Sequence, residues 1–154
     1  MDEKPILSVI MTSLAEDEYR LNLLKETLKS LKGSIKVSHE FIVIDNGNSE
    51  QTKILEDSFA DVVIKNERNK GIGFGWNQGF EASSGKYISL IDNDLLFAEG
   101  WADDCIELLE KYPDKKFVIN NECRLVHNNE KKNQGGRYWN HNKLYFNQKW
   151  GTNR

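Results

Sequence analysis

The chain has 154 residues, of which 38% are hydrophobic and 29% charged, and its formal net charge at pH 7 is −3. This length fits one domain with a substantial core, and the composition is ordinary for a globular protein. The sequence shows no signal peptide and no apolar run near the ~20 residues of a membrane helix. Its two cysteines, Cys105 and Cys123, exclude a disulfide framework and lack zinc spacing. We therefore expect a cytoplasmic protein.

Hydrophobic patterning predicts strands that alternate with helices along most of the chain. The predicted strands are 6–11, 41–44, 61–65, 87–91 and 117–119, and the predicted helices are 18–31, 51–59, 73–82 and 100–112. In the last helix, a stripe at helical spacing is expected to be buried: Trp101, Cys105, Leu108 and Tyr112. Alternation of this kind predicts an α/β fold with a mainly parallel sheet and right-handed crossovers.

Polar residues follow several of the predicted strands. In open α/β sheets, ligands bind at the carboxyl ends of the strands, so these residues predict a ligand cleft. The polar groups are Thr12-Ser13, Asp45-Asn46, Asn69-Lys70-Gly71 and Asp92-Asn93-Asp94.

Asp92 and Asp94 are the strongest candidates for metal binding. Residues two apart in a strand point to the same face, so the two carboxylates can converge where the chain leaves 87–91, which we predict to be a buried strand. Two hard oxygen ligands suit Mg²⁺ or Mn²⁺ shared with a diphosphate, although aspartates also commonly cap a following helix.

Asp45, at the end of the second predicted strand, has two interpretations as well. It can accept hydrogen bonds from a base or a ribose hydroxyl, or it can form an Asx-turn leading into Gly47.

A glycine cluster follows the third predicted strand, and two known nucleotide motifs fail there. A Rossmann fingerprint beginning Gly71-x-Gly73 fails because Trp76 occupies the third glycine position. A P-loop fails because five residues, rather than four, separate Gly79 from Gly85, and Tyr87 replaces Ser or Thr. The glycines then indicate either close backbone approach to a ligand or tight helix packing.

Residues 120–154 differ from the rest of the chain. They contain seven Lys or Arg against two Glu, together with nine asparagines and five aromatic residues. A basic segment can be a phosphate-binding lid, a membrane-surface patch, a nucleic-acid arm or a solvated tail. The aromatic content favours a lid packed over the sheet, and the acidic remainder of the chain argues against nucleic acid.

Taken in chain order, the motifs between residues 5 and 120 resemble the nucleotide-binding half of glycosyltransferase family 2, which has the GT-A fold. The resemblance covers about residues 5–120 and implies a three-layer α/β/α sandwich. Residues 1–154 would form a single GT-A-like domain, with 121–154 a short acceptor-side or lid segment. The matching segments are Leu7-Ser8-Val9-Ile10-Met11-Thr12, Arg20 with its leucine-rich helix, Phe41-Ile42-Val43-Ile44-Asp45-Asn46-Gly47-x-Ser49, Asn69-Lys70-Gly71, Gly75-x-Asn77-x-Gly79 and Gly85-Lys86-Tyr87-Ile88-x-Leu90-x-Asp92-Asn93-Asp94.

The resemblance implies a role for each matching position. Thr12 and Asp45 would hold the nucleotide base, and Asn69, Gly71 and Asn77 would line the base and ribose. Asp92 would meet ribose or metal, and Asp94 would ligate Mn²⁺ or Mg²⁺. The adjoining Ser13 and Asn93 are counted with the nucleotide-sugar-binding residues.

The implied function is transfer of a sugar from a UDP-, GDP- or dTDP-linked donor to an acceptor hydroxyl of a glycan or glycolipid, with inversion. Peripheral membrane contact is compatible with such an acceptor. Family members take their catalytic base from beyond the metal triplet, where this chain has sixty residues. Glu122 is our candidate for this catalytic base. Two departures, Ser13-Leu14 in place of the usual Tyr-Asn and the short second half, leave an alternative: a truncated, non-catalytic nucleotide-sugar-binding protein.

A nucleotidyltransferase is a third class. It would require a glycine-rich loop with Arg or Lys directly after the first strand, and residues 12–17 lack one.

Overall fold

The structure, a computed structural model, describes residues 4–47, 49–114 and 118–119. Its strands are β1 (Leu7–Ser13), β2 (His39–Asp45), β3 (Val62–Lys65) and β4 (Tyr87–Ile91). Its helices are α1 (Glu18–Leu31), α2 (Ser49–Glu56), α3 (Ile72–Ala82) and α4 (Trp101–Glu110). Strands and helices therefore alternate as the sequence predicts.

The four strands form one parallel sheet in the order β3-β2-β1-β4. In its register, Ser13 at the end of β1 pairs with Asp45 at the end of β2. Met11 of β1 pairs with Ile91, the last residue of β4. The carboxyl ends of β1, β2 and β4 therefore meet at one edge of the sheet.

Helices lie on both faces of the sheet. On one face, α3 packs on β1 and β2, and a Cβ added at Gly79 would meet Ile10 and Ile44. On the other face, Gln51 of α2 contacts Ser13, whose side chain points opposite to that of its neighbour Thr12. Right-handed crossovers place α1 on the same side as α2. The result is the predicted three-layer α/β/α sandwich.

The first long helix, α1, has the bounds that the sequence predicts. Its leucines at positions 21, 24, 28 and 31 are buried. Asp17 caps its N-terminus by accepting a hydrogen bond from the Arg20 amide at 2.8 Å. Gly33 follows the helix with a φ of 76°, a left-handed conformation that glycine adopts without strain.

The core lies around the two central strands, because β1 and most of β2 are buried on both faces. The prediction that 87–91 is a buried strand is wrong. In the described sheet β4 is an edge strand, and its Ile88 and Leu90 are 37% and 47% exposed. An apolar run indicates a strand but does not indicate its lateral position in the sheet.

Two other expectations differ from the structure. The buried residues of α4 are Ala102 and Ile106, one position along from the predicted stripe. Val118 and Ile119 of the predicted fifth strand lie outside any helix or strand, and Val118 is exposed. Residue 117 lies outside the described residues.

The chain divides into two compact units, Met1–Glu107 and Leu108–Arg154. All four strands and helices α1 to α3 belong to the first unit. In the second unit the structure describes the last turn of α4, residues 111–114 and residues 118–119. Among the helices that the structure describes, none is both long and apolar enough to cross a membrane. The predicted division near residue 120 stays a prediction.

Candidate functional site

A cleft of about 290 Å³ opens at the carboxyl edge of the sheet. The end of β1, the segments that follow β2 and β4, and the N-terminus of α3 contribute to it. The topology explains this, because parallel strands deliver their following loops to one edge. Its lining residues are Thr12, Leu14, Asn46, Asn69, Gly71, Ile72, Asp92, Asn93 and Asp94.

Asp92 and Asp94 bring two carboxylates to this cleft, in the turn that directly follows β4. Partial burial, and then the negative charge of Asp94, raise the pKa of Asp92 above its ordinary value. A cation between the carboxylates would offset that repulsion. Within the described ranges, no third His, Cys, Asp or Glu joins them to form a metal cluster. The pair therefore suits a cation that shares its remaining ligands with a bound molecule.

Thr12 adds a polar group that the fold leaves unpaired. Its side chain is nine-tenths buried, and its Oγ1 has no hydrogen-bond partner among the described residues. The hydroxyl lies against α3, where a Cβ at Gly75 would come within 2.6 Å of it. Thr12 also lines the cleft, but its Oγ1 is itself buried, so the hydroxyl without a described partner costs free energy in the fold.

Asn46 also lines the cleft, as the polar group Asp45-Asn46 predicts, although the nucleotide-binding role was assigned to Asp45 alone. Its Oδ1 accepts a hydrogen bond from Asn66 Nδ2 at 2.8 Å. Asn66 in turn pairs with Gln78 of α3 through two hydrogen bonds of 2.8 and 3.1 Å. Asn46 Nδ2 lies 3.5 Å from the Gly71 carbonyl, a long contact that leaves donor capacity for a ligand.

Asp45 lies behind the cleft, not in its lining, and is almost completely buried. Its Oδ1 accepts from the Gly47 amide at 2.9 Å and from Gln51 Nε2, and its Oδ2 accepts from Thr52 Oγ1. These contacts correspond to the Asx-turn reading of Asp45. The signal that separates Asp45 from Asn46 is strand alternation, which points the two side chains to opposite faces.

The segment before α3 contributes Asn69 and Gly71 to the cleft. Asn69 Oδ1 accepts a hydrogen bond from the Gly71 amide at 2.8 Å, and Gly71 has a φ of 83°. A residue with a Cβ would be strained in that left-handed conformation. Asn77, by contrast, lies on the exposed side of α3 and does not line the cleft.

Ser13 and Asn93 are joined to each other. Ser13 is fully buried behind the cleft, and its Oγ accepts a hydrogen bond of 2.8 Å from Asn93 Nδ2. Asn93 itself lines the cleft between the two aspartates. Glu122, the predicted base, lies outside the described residues, as does the rest of the basic segment from residue 120 onwards.

Two curated glycosyltransferases are similar to this chain. The chain is 25% identical over 116 residues to the glucosyl-dolichyl phosphate glucuronosyltransferase of Haloferax volcanii, covering 73% of this chain and 36% of that protein. It is 30% identical over 99 residues to the dolichyl-phosphate beta-glucosyltransferase of Dictyostelium discoideum, covering 57% of this chain and 30% of that protein. The chain therefore spans about a third of the length of these curated relatives.

A solved structure shares the fold. The mannosyltransferase PcManGT from Pyrobaculum calidifontis, determined in complex with GDP-Man and Mn²⁺, superposes with a TM-score of 0.58 at 16% identity. The match covers 70% of this chain and 33% of that one. It confirms the predicted GT-A fold class. The family model for glycosyl transferase family 2 matches residues 8–153. Because that match covers nearly the whole chain, the chain belongs to glycosyltransferase family 2.

Proposed function

We propose that the cleft binds a nucleoside-diphosphate sugar together with Mn²⁺ or Mg²⁺, and that the protein transfers the sugar to an acceptor hydroxyl. One observation carries the proposal: two carboxylates, Asp92 and Asp94, line the same cleft as the amide side chains of Asn46 and Asn69. A nucleotide with a diphosphate can use both kinds of group, because its diphosphate binds a divalent cation and its base and ribose form hydrogen bonds.

The acidic pair would hold the cation. Asp92 and Asp94 supply two hard oxygen ligands, and diphosphate oxygens and water would complete the coordination. A divalent cation bound there stabilises the negative charge that develops on the leaving nucleoside diphosphate. The neighbour's complex with GDP-Man and Mn²⁺ supports this assignment.

The opposite side of the cleft would hold the nucleoside. Asn46 presents an amide whose orientation is set by Asn66, and the Thr12 residue also lines the cleft. Asn69 and Gly71 complete that side with polar backbone and amide groups. The volume of about 290 Å³ lies near the lower end of the ~300–1,000 Å³ range for small-molecule sites. We therefore assign the cleft to the nucleotide part of the donor.

We further propose an inverting transfer, in which an acceptor hydroxyl attacks the anomeric carbon opposite the leaving diphosphate. Such a step requires a base on the acceptor side. Among the residues that the structure describes, the carboxylates lining the cleft are Asp92 and Asp94, which the donor would occupy. Glu122 stays our candidate for the base. Two relatives named for dolichyl-phosphate reactions support a lipid-linked acceptor within the glycan and glycolipid range.

The first experiment measures donor binding. UDP, GDP and dTDP are titrated calorimetrically, with and without Mn²⁺, into wild type and Asp94→Ala. Asp57→Ala is the control, because Asp57 is an exposed aspartate after α2 and outside the cleft. We expect at least one nucleotide to bind wild type and Asp57→Ala with metal-dependent affinity, and Asp94→Ala to lose that dependence. Identical metal dependence in Asp94→Ala would contradict the proposal.

The second experiment measures turnover. Donor hydrolysis and transfer to a panel of glycan and lipid-linked acceptors are assayed for wild type and Glu122→Gln. We expect transfer by wild type and a loss of turnover, with donor affinity retained, in Glu122→Gln. Metal-dependent binding without turnover on any acceptor would instead favour the alternative, a non-catalytic nucleotide-sugar-binding protein. That alternative draws on the absence of a free carboxylate in the described cleft.

A further inference from the structure

Gln51 of α2 is fully buried on the face of the sheet opposite to α3. Its Oε1 accepts hydrogen bonds from Ser13 Oγ, at 3.0 Å, and from the amide of Ala15. Its Nε2 donates to the Ser13 carbonyl, at 3.2 Å, and to Asp45 Oδ1. One side chain from a peripheral helix thus joins the ends of the two central strands.

The Ser13 hydroxyl carries this connection to the acidic pair. It donates to Gln51 Oε1 and accepts from Asn93 Nδ2 at 2.8 Å. The hydroxyl proton of Ser13 therefore points toward Gln51. The Asn93 carbonyl accepts a second hydrogen bond, from Thr27 Oγ1 of α1 at 3.0 Å. Asn93 is therefore held by its side chain and by its backbone, directly between Asp92 and Asp94.

The Gln51 side chain also has little free space around it. A Cβ added at Gly47 would lie 2.4 Å from Gln51 Nε2, so the amide fills the volume beneath the turn that follows β2. A buried polar network of this kind favours one arrangement, because other arrangements leave a donor or acceptor without a partner. Gln51, Ser13 and Asn93 accordingly keep the segment after β4 in a single position.

Resting on the proposed function, we infer that Gln51 is a positioning residue for the Asp92–Asp94 pair. It does not line the cleft, and it acts through Ser13 and Asn93. By holding the Asn93 side chain against Ser13, it fixes the turn that carries Asp92 and Asp94, both of which line the cleft. The two carboxylates then lie ready to receive a cation with a diphosphate, without the cost of ordering that segment on binding.

The test compares substitutions at buried positions that do, or do not, remove a hydrogen bond of this network. Gln51→Met keeps the volume but removes the amide, and Ser13→Ala removes the middle link with a smaller change. Leu55→Ala is the matched control, because Leu55 is also fully buried in α2 but its side chain cannot hydrogen-bond. The probe is Mn²⁺ with whichever of UDP, GDP or dTDP binds wild type. Affinity is measured with and without Mn²⁺, and folding is followed by thermal unfolding.

We expect Gln51→Met and Ser13→Ala to weaken the Mn²⁺-dependent affinity by about 10-fold or more, as loss of a residue that orients metal ligands typically does. Affinity without Mn²⁺ should change much less. The double variant should be no weaker than either single variant, because both remove the same connection. Leu55→Ala should lower the melting temperature and leave the Mn²⁺-dependent affinity unchanged.

Two failures are distinguishable. If Asp94→Ala abolishes Mn²⁺ dependence while Gln51→Met and Ser13→Ala bind like Leu55→Ala, the proposed function holds and the positioning role of Gln51 is overturned. If Asp94→Ala binds like wild type, the proposed function itself fails, and the inference about Gln51 fails with it.

Discussion

Thr12 and Thr27 are both buried threonines near the cleft, and within the described part of the chain only the Thr27 hydroxyl has a hydrogen-bond partner. The Thr27 hydroxyl donates to the Asn93 carbonyl at 3.0 Å, whereas Thr12 Oγ1 has no partner among the described residues. Removing a paired hydroxyl leaves a buried acceptor unsatisfied, but removing an unpaired one relieves a desolvation cost. The two residues should therefore respond in opposite ways to the same substitution.

We expect Thr12→Val to leave the free energy of unfolding unchanged or to raise it by up to about 1 kcal/mol, and Thr27→Val to lower it by about 1–3 kcal/mol. Urea denaturation of both variants checks these two changes in stability. A loss of stability in Thr12→Val equal to that in Thr27→Val would show that the hydroxyl already has a partner.

Helix α3 approaches the sheet closely because its buried positions are Gly75 and Gly79. A Cβ at Gly79 would lie 2.3 Å from Ile10 Cγ2 and 3.0 Å from Ile44 Cδ1. Both isoleucines are fully buried and leave little room for adjustment. The same helix carries the N-terminal residues that line the cleft, so its distance from the sheet also sets the shape of the site.

We expect Gly79→Ala to lower the free energy of unfolding by about 1–3 kcal/mol through overpacking. Gly73→Ala on the same helix is the control, because nothing lies within 4 Å of an added Cβ there. That change should raise stability by about 0.5–1 kcal/mol, since alanine loses less backbone entropy than glycine. Chemical denaturation of both variants measures the difference. Equal stabilities would mean that α3 can shift away from β1 at little cost.

At the scale of the whole molecule, Glu40 joins segments that are distant along the chain. Its Oε1 accepts from Ser8 Oγ of β1 at 2.6 Å, and from the backbone amide and hydroxyl of Ser84 before β4 at 2.6 and 3.0 Å. Burial raises the pKa of Glu40, but the hydrogen bonds from Ser8, Ser84 and Gly85 outweigh it and hold the pKa below its ordinary value. The ionised carboxylate therefore stabilises the amino-terminal edge of the sheet.

This pKa shift has a defined sign for stability. A carboxyl group whose pKa is lower in the folded than in the unfolded state contributes stability above its unfolded pKa, about 4.3 for Glu. That contribution is lost as the pH falls through the lower, folded pKa. We expect Glu40→Gln to be less stable than wild type at pH 7, with the difference shrinking toward pH 3. Urea denaturation of both proteins at the two pH values checks this, and a difference independent of pH would contradict it.

Hydrophobic patterns along the sequence predicted the bounds of helices and strands well where those bounds depend on neighbouring residues in the chain. Helix α1 has its predicted bounds because its leucines repeat at helical spacing between Asp17 and Gly33. The bounds of β4 were also predicted correctly, but the prediction that β4 is buried was wrong. Burial depends on neighbours across the sheet, and the order β3-β2-β1-β4 leaves β4 with one described partner. The stripe of α4 differed for a similar reason, since the packing of its neighbours selects which helix face is covered.

The sequence by itself determined that an acidic pair, Asp92 and Asp94, would follow a strand and lie at the ligand-binding edge of a parallel sheet. Alternation of strands with helices is a local property, and it brings strand ends to one edge in any such fold. Only the tertiary structure decided what holds the pair in place. Asn93 is 80 residues from Ser13, and Ser13 is 38 from Gln51. No periodic pattern spans such separations, so only the packing of α2 against the sheet brings these side chains together.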